Sequence, residues 1–162
     1  MALLTRLLAL ELSAVLSLRA VIAFAMSEGK YHIQVAADPK PFIGMDSSPA
    51  PLKPVVTDGS DNLWTVKQLP DGSITIAVGD SGHQGFVQLD EGGNLVVSDE
   101  ATPFAWSVKL AEGDTYTIEF PNHIRPTRGW SIKNSEPKSA VILRTFDIPM
   151  PEQLWEFIPV EE

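Results

Sequence analysis

Past residue 28, the apolar residues of this chain come in short runs that alternate with polar residues, and helical periodicity is almost absent. The run Tyr31-His32-Ile33-Gln34-Val35 is an example. Alternation of this kind places one face of a strand in a core and the other face in water. Gly, Pro, Asp and Asn separate the runs, as is typical of turns. The pattern therefore predicts an all-β protein built from short strands.

The runs group into three units of four strands that share landmarks. Each unit opens with a glycine before an alternating strand and closes on a tryptophan; these are Gly29, Gly72 and Gly113, and Trp64, Trp106 and Trp155. Buried at equivalent places, three tryptophans would dominate a threefold core. Twelve strands in three matched units predict a β-trefoil. The matched tryptophans argue against a β-sandwich, and three blades are too few to close a propeller.

The N-terminal stretch Met1–Ala25 differs from the rest because it is rich in Leu and Ala. Two interpretations stay open. Its end, Ala23-Phe24-Ala25, fits a signal-peptide cleavage site, which would make the protein secreted. Alternatively Met26 is the true start, the upstream residues are a mis-start, and the protein is cytoplasmic. We expect residues 1–26 to be a non-trefoil extension and residues 27–162 to form the domain, with no membrane association of the trefoil.

Charge and residue content argue against several classes of function and favour a binding protein. The formal net charge of −9 argues against nucleic acid, which requires clustered Lys and Arg. Without cysteine there is no disulfide, thiolate metal site or cysteine nucleophile. The histidines His32, His83 and His123 fall in three different units, so no metal site is predicted. Because no catalytic constellation stands out, we expect a monomeric binding protein that is not an enzyme and has no cofactor.

Two proline-containing loops suggest protease inhibition, since a rigid exposed loop loses little entropy on docking. One loop, residues 46–54, joins the second and third strands and contains Lys53; the other, residues 133–139, joins the tenth and eleventh strands and contains Lys138 and Ser139. The charge of a lysine suits the specificity pocket of a trypsin-like enzyme. Lys138-Ser139 is the preferred bond, because Lys53 precedes a proline. The alternative is that both loops are ordinary solvated connections.

Carbohydrate binding is the second hypothesis. Gln153-Leu154-Trp155 is the Gln-x-Trp motif of ricin-B-type lectins, although its Gln and Trp mainly serve the fold. A sugar site needs a carboxylate, an amide and an exposed aromatic side chain. The second unit offers Asp90 and Asn94 without a clear aromatic platform, and Asp90 begins a hairpin turn with Gly92 and Gly93.

The strand landmarks resemble the mushroom β-trefoil serine-protease inhibitors, the cospin and cnispin group within the wider ricin-B-like trefoils. The resemblance covers Ser27–Glu162 and is carried by Gly-x-Tyr-x-Ile, Phe-Ile-Gly, Leu-Trp-Thr-Val, Ala-Trp-Ser-Val, Asp-Thr-Tyr-Thr-Ile-Glu, Gly129-Trp130 and Gln-Leu-Trp. It implies a fungal defensive or regulatory protein that blocks a trypsin-like serine protease through one basic loop residue.

This chain departs from that family in its loops. One inhibitory site of the family follows the Phe-Ile-Gly landmark, and here that loop begins Met45-Asp46-Ser47-Ser48 without an arginine. The resemblance therefore leaves Lys138, and then Lys53, as protease contacts. It also adds Asn134, because related trefoils present an asparagine to asparagine-specific cysteine proteases.

Overall fold

The described part of the chain comprises residues 26–79, 85–99, 102–121 and 126–161 of a computed structural model. The interpretation of residues 1–25 as a signal or mis-start therefore lies outside the described residues, and so do His83 and His123. Met26 is buried with the core. Met26, which the sequence analysis placed in the N-terminal extension, therefore packs with the core of the domain.

The predicted twelve strands are present, and a single short 3-10 helix, Pro151–Gln153, is the only helix among the described residues. The strands are β1 Gly29–Val35, β2 Ile43–Met45, β3 Lys53–Thr57, β4 Leu63–Gln68, β5 Ile74–Val78, β6 Gly85–Leu89, β7 Leu95–Ser98, β8 Ser107–Leu110, β9 Tyr116–Glu119, β10 Thr127–Ile132, β11 Val141–Phe146 and β12 Trp155–Pro159.

Six strands form a closed barrel through antiparallel pairing in the order β1, β4, β5, β8, β9, β12 and back to β1. Between β5 and β8 the contact is an isolated bridge of Ile74 with Trp106, the residue before β8, closed by two backbone hydrogen bonds of 2.8 and 2.7 Å. The remaining strands form three hairpins, β2–β3, β6–β7 and β10–β11, which contact one another through β3–β7 pairing and two isolated bridges. The fold is a β-trefoil, which confirms the prediction.

The three unit-closing tryptophans are fully buried and make the same hydrogen bond. Each indole N–H donates to a backbone carbonyl on the second strand of its own unit: Trp64 to Ile43 at 3.0 Å, Trp106 to Val87 at 3.2 Å and Trp155 to Trp130 at 3.2 Å. A hydrogen-bond acceptor offsets the cost of burying an indole N–H. The repeated bond ties the barrel to each hairpin and sets the threefold register.

Trp130 is a fourth core tryptophan that the landmarks did not assign. It occupies the position of Ile43 and Val87 in the other units and lies edge-on to Trp106 and Trp155, with ring centroids 5.2 and 6.0 Å apart. The three rings form a T-shaped series, a favourable aromatic arrangement.

Candidate functional site

The preferred protease contact, Lys138, is held against the body of the protein. Its backbone has a φ of 62°, in the left-handed region, and its ammonium group donates to the Asp58 carbonyl at 2.7 Å. The next residue, Ser139, is buried and receives a hydrogen bond at its backbone carbonyl from the Thr57 amide. This geometry does not present Lys138-Ser139 as an extended, accessible bond. The residue pair stays a prediction that the geometry does not favour.

The two remaining protease candidates are placed differently from each other. Lys53 lies within β3, paired with Val97, and lines a cleft of about 510 Å³. Asn134 lies on the exposed β10–β11 loop, where its side-chain carbonyl accepts from the Glu136 amide at 3.1 Å. Asn134 and Lys138 are both exposed on this loop, whereas Lys53 is part of a strand.

The sugar-binding candidates Asp90 and Asn94 contact each other. The Asp90 carboxylate accepts from the backbone and side-chain nitrogens of Asn94, both at 2.8 Å. The side-chain hydrogen bond from Asn94 is the main cause that lowers the pKa of Asp90 below its ordinary value. These contacts close the β6–β7 turn, which is the structural role that the neighbouring glycines indicated. Neither residue has an aromatic neighbour described beside it.

A carboxylate, an amide and an exposed aromatic ring lie side by side elsewhere, on the outer surface of β12 and β1. Glu156 of β12 pairs with Gln34 of β1, and Gln34 forms a bridge with Phe42, the residue before β2. We call these three residues the polar row. Inward positions of β1 are buried, so Gln34 faces outward, and Phe42 is 36% exposed. Directly paired residues on one face of a sheet have adjacent side chains.

The carboxylate of the polar row is held in place by two donors. The Lys40 ammonium lies 2.7 Å from one oxygen of Glu156, and the Gln34 amide donates to the other at 2.5 Å. Lys40 is positioned by the β1–β2 turn, where its amide donates to the Ala37 carbonyl at 2.7 Å. The Lys40 hydrogen bond, followed by that from Gln34, lowers the pKa of Glu156 below its ordinary value. Glu156 is therefore ionised at neutral pH.

A second row of side chains lies next to the first, one same-face step along β1. His32 pairs with Ile158 of β12 and with Leu63 of β4, and the two aliphatic residues are each 38% exposed. We call these three residues the apolar row. The imidazole of His32 donates through Nδ1 to the Asn62 carbonyl at 3.1 Å, because a carbonyl can only accept. Its ring lies 5.5 Å from that of Phe42, so the two rows touch.

The equivalent positions in the other units lack this combination. The polar row corresponds to Thr65, Ala77 and Phe86 between the first and second units, and to Ser107, Glu119 and Gly129 between the second and third. Ala77 and Glu119 are buried. Glu119 forms an ion pair with Lys109 and accepts from Thr117 at 2.8 Å, beside a cleft of about 370 Å³. That cleft's aromatic residue, Phe120, carries the Arg128 guanidinium on its ring at 4.7 Å.

The segment before the 3-10 helix is a further exposed feature that the sequence reasoning missed. Ile148 and Met150 are 81% and 60% exposed, and prolines flank Met150 on both sides. The buried side-chain oxygen of Gln153 accepts from the backbone N–H of Met150 at 3.1 Å. The backbone N–H of Gln153 donates in turn to the Met150 carbonyl at 2.8 Å. The Gln-x-Trp motif thus braces this loop, as its fold-serving role predicts. The signal in the sequence was the run Ile148-Pro149-Met150-Pro151, in which two apolar residues alternate with two prolines.

No group of three or more His, Asp or Glu side chains in the described ranges could hold a metal ion. Over the same residues, no helix has the length and apolarity needed to cross a membrane.

Comparison with known proteins identifies the fold. No protein-family model matches the chain, and no curated protein matches its sequence. The structure is similar to a ricin B-like lectin of Macrolepiota procera solved with lactose, with a TM-score of 0.64 and 16% identity over 83% of this chain and 99% of that chain. It is also similar to the Rhizoctonia solani agglutinin, with a TM-score of 0.62 and 18% identity over 87% and 100% of the two chains.

Longer proteins contain the same fold as one part. The chain matches Cry35Ab1 with a TM-score of 0.64 and 14% identity, covering 82% of this chain and 36% of that one. At these identities the likeness shows the fold, the ricin B-like β-trefoil. The neighbours named here include a ricin B-like lectin and an agglutinin, and none of them is named as a protease inhibitor.

Proposed function

We propose that this protein binds carbohydrate through the polar row and acts by recognition rather than catalysis. The observation that carries the proposal is the side-by-side placement of Glu156, Gln34 and the exposed ring of Phe42. This supplies from neighbouring strands the carboxylate, amide and aromatic group that a sugar site needs. The resemblance of the fold to single-domain lectins supports the same class of function.

Each group of the polar row has a distinct chemical task. An ionised carboxylate accepts hydrogen bonds from sugar hydroxyls, and these charge-assisted bonds are stronger than neutral ones. The Gln34 amide retains acceptor and donor capacity beyond its bond to Glu156, which allows it to orient a second hydroxyl. The apolar C–H face of the sugar packs on the ring of Phe42. The net charge of −9 favours neutral sugars over anionic ones.

The test is calorimetric titration of the full chain with neutral oligosaccharides chosen on a glycan array, beside two matched variants. Phe42→Ala removes the exposed ring and should weaken binding at least about tenfold, which is 1.4 kcal/mol of binding free energy. Phe86→Ala removes the ring at the equivalent position of the second unit and should leave the affinity unchanged. Equal loss in both variants, or no binding of any array sugar, would contradict the proposal.

Protease inhibition is a second candidate function, and the segment Ile148–Pro151 favours it. Two exposed apolar side chains lie on a proline-flanked segment whose backbone is braced by buried Gln153. Such a segment loses little entropy when it docks in an enzyme cleft. An apolar specificity pocket would accept Met150, whereas the trypsin-like target suggested by the sequence requires Lys138 or Lys53, and an asparagine-specific cysteine protease requires Asn134.

The three protease alternatives are separable by inhibition assays against trypsin, chymotrypsin and an asparagine-specific cysteine protease. Inhibition of chymotrypsin that Met150→Ala removes would assign the braced segment. Inhibition of trypsin that Lys138→Ala or Lys53→Ala removes would assign the basic loops, and loss of cysteine-protease inhibition in Asn134→Ala would assign the third contact. No inhibition of any of the three enzymes would exclude this second candidate for these targets.

A further inference from the structure

The apolar row makes one edge of the proposed sugar site unusual for a protein surface. Leu63 and Ile158 flank His32 on the outer face of the barrel, and each is more than a third exposed. Single exposed aliphatic residues are common. Here three neighbouring strands place two of them on either side of His32, one step from a carboxylate and an amide.

The row departs from the pattern of the other two units. Ile158 pairs with His32, and the corresponding pairs around the barrel are Lys67 with Thr75 and Lys109 with Thr117. A lysine at this outward position is the ordinary solution, since it keeps a charge in water. At the equivalent position of β12, the aliphatic Ile158 stands in place of the lysine and is still exposed.

The small area of the apolar row limits the kind of molecule that could bind to it. Three side chains provide far less than the roughly 800 Å² per partner that a stable protein–protein interface buries. The acidic charge of the chain also disfavours a second copy on this face, because two copies repel each other. A small apolar group is the occupant of the right size, and the adjacent polar row would hold what that group is attached to.

Building on the proposed carbohydrate function, we infer that the ligand is a sugar carrying an apolar aglycone, as in a glycolipid, with the sugar on the polar row and the first carbons of the aglycone on Ile158, His32 and Leu63. The contact between the Phe42 and His32 rings makes the two rows one continuous surface. Burial of aglycone CH₂ groups against the aliphatic residues adds a hydrophobic contribution that a free sugar does not have.

The experiment compares methyl and octyl β-galactosides and β-glucosides, with the octyl compounds below their micelle concentration, in calorimetric titrations of the full chain. We expect the octyl glycoside to bind about tenfold more tightly than its methyl counterpart, because several CH₂ groups are partly buried. Ile158→Ser and Leu63→Ser should bring the ratio of the two affinities close to one. Leu110→Ser, at an exposed aliphatic residue of β8 outside both rows, is the control that should keep the ratio.

Any other result would overturn the aglycone inference. The results also show whether carbohydrate binding fails together with it. Equal affinity for methyl and octyl glycosides, with binding still lost in Phe42→Ala, would remove the aglycone site and leave carbohydrate binding in place. A preference for the octyl compound that survives Ile158→Ser and Leu63→Ser would show that the alkyl chain binds elsewhere. Binding of neither pair of glycosides, while an array oligosaccharide binds, would overturn the aglycone site alone, and the absence of binding to both the glycosides and the array sugars would overturn both proposals.

Discussion

The outer surfaces over β1 and over β9 occupy equivalent positions around the barrel, yet only the first combines a free aromatic ring with a carboxylate and an amide. Over β1, Phe42 is exposed beside Gln34. Over β9 the matching residue is Gly129, and a Cβ there would lie 2.7 Å from the Phe146 ring. The fold therefore repeats the backbone register while leaving each outward surface to its own side chains.

The carboxylates of these two surfaces show the same contrast. Glu119 is buried and its oxygens bond to Lys109 and Thr117, whereas Glu156 is part-exposed between Lys40 and Gln34. A buried carboxylate with satisfied oxygens stabilises the local structure. A part-exposed one keeps lone pairs that a ligand can reach. Departure from the threefold pattern is thus what marks the candidate site.

The largest effect is expected where the units are alike. Trp106→Ala should lower the free energy of unfolding by about 3–5 kcal/mol, because it removes a fully buried indole and its bond to the Val87 carbonyl. Denaturant titration measures this value. An unchanged unfolding midpoint would contradict the assignment of this tryptophan to the shared core.

Gly129→Ala tests why the β9 surface carries no aromatic ring. The new Cβ would meet the Phe146 ring at 2.7 Å and the Ile118 carbonyl oxygen at 2.9 Å, so we expect a loss of about 1–3 kcal/mol of stability. Gly29→Ala is the matched control, since its nearest neighbour, the Tyr31 ring, lies at an ordinary 3.6 Å. If both variants melt at the same temperature, the steric explanation is wrong.

Glu156→Gln should cause a smaller, pH-dependent loss of stability. The folded pKa of Glu156 lies below the ordinary value of 4.5, so the ionised form stabilises the folded state above that pH. This stabilisation disappears as the pH falls through the folded pKa. We expect the difference in unfolding free energy between wild type and variant to be constant near pH 7 and to shrink below about pH 4.5. A difference that grows in acid would reverse the sign and refute the assignment.

Ile158→Lys restores the residue type of the other two units, Lys67 and Lys109, and should change stability least. Because the side chain is exposed, the expected change in unfolding free energy is within about 0.5 kcal/mol. The preference for octyl over methyl glycosides should nevertheless disappear. A large loss of stability would mean that Ile158 serves the fold and not a ligand.

The alternation of residues, the opening glycines and the closing tryptophans were enough to predict the trefoil, because each is a local signal repeated three times. Trp130 was not assigned to the core in this way, since its equivalents Ile43 and Val87 differ from it in type. The loop candidates were chosen for charge and proline content. Their conformation depends on contacts across the chain, such as the Lys138 bond to Asp58, which no local pattern reports.

By itself, the sequence determined the all-β class, the three units, the tryptophan core, the acidic character and the hairpin turn of Asp90 with Gly92 and Gly93. Only the tertiary structure decided which outward residues become neighbours. Glu156 and Gln34 are 122 positions apart in the chain, and barrel closure between β12 and β1 brings them into hydrogen-bonding distance. The candidate site is built from residues that are distant in sequence, because strand pairing, and not chain order, sets contacts on the surface of a sheet.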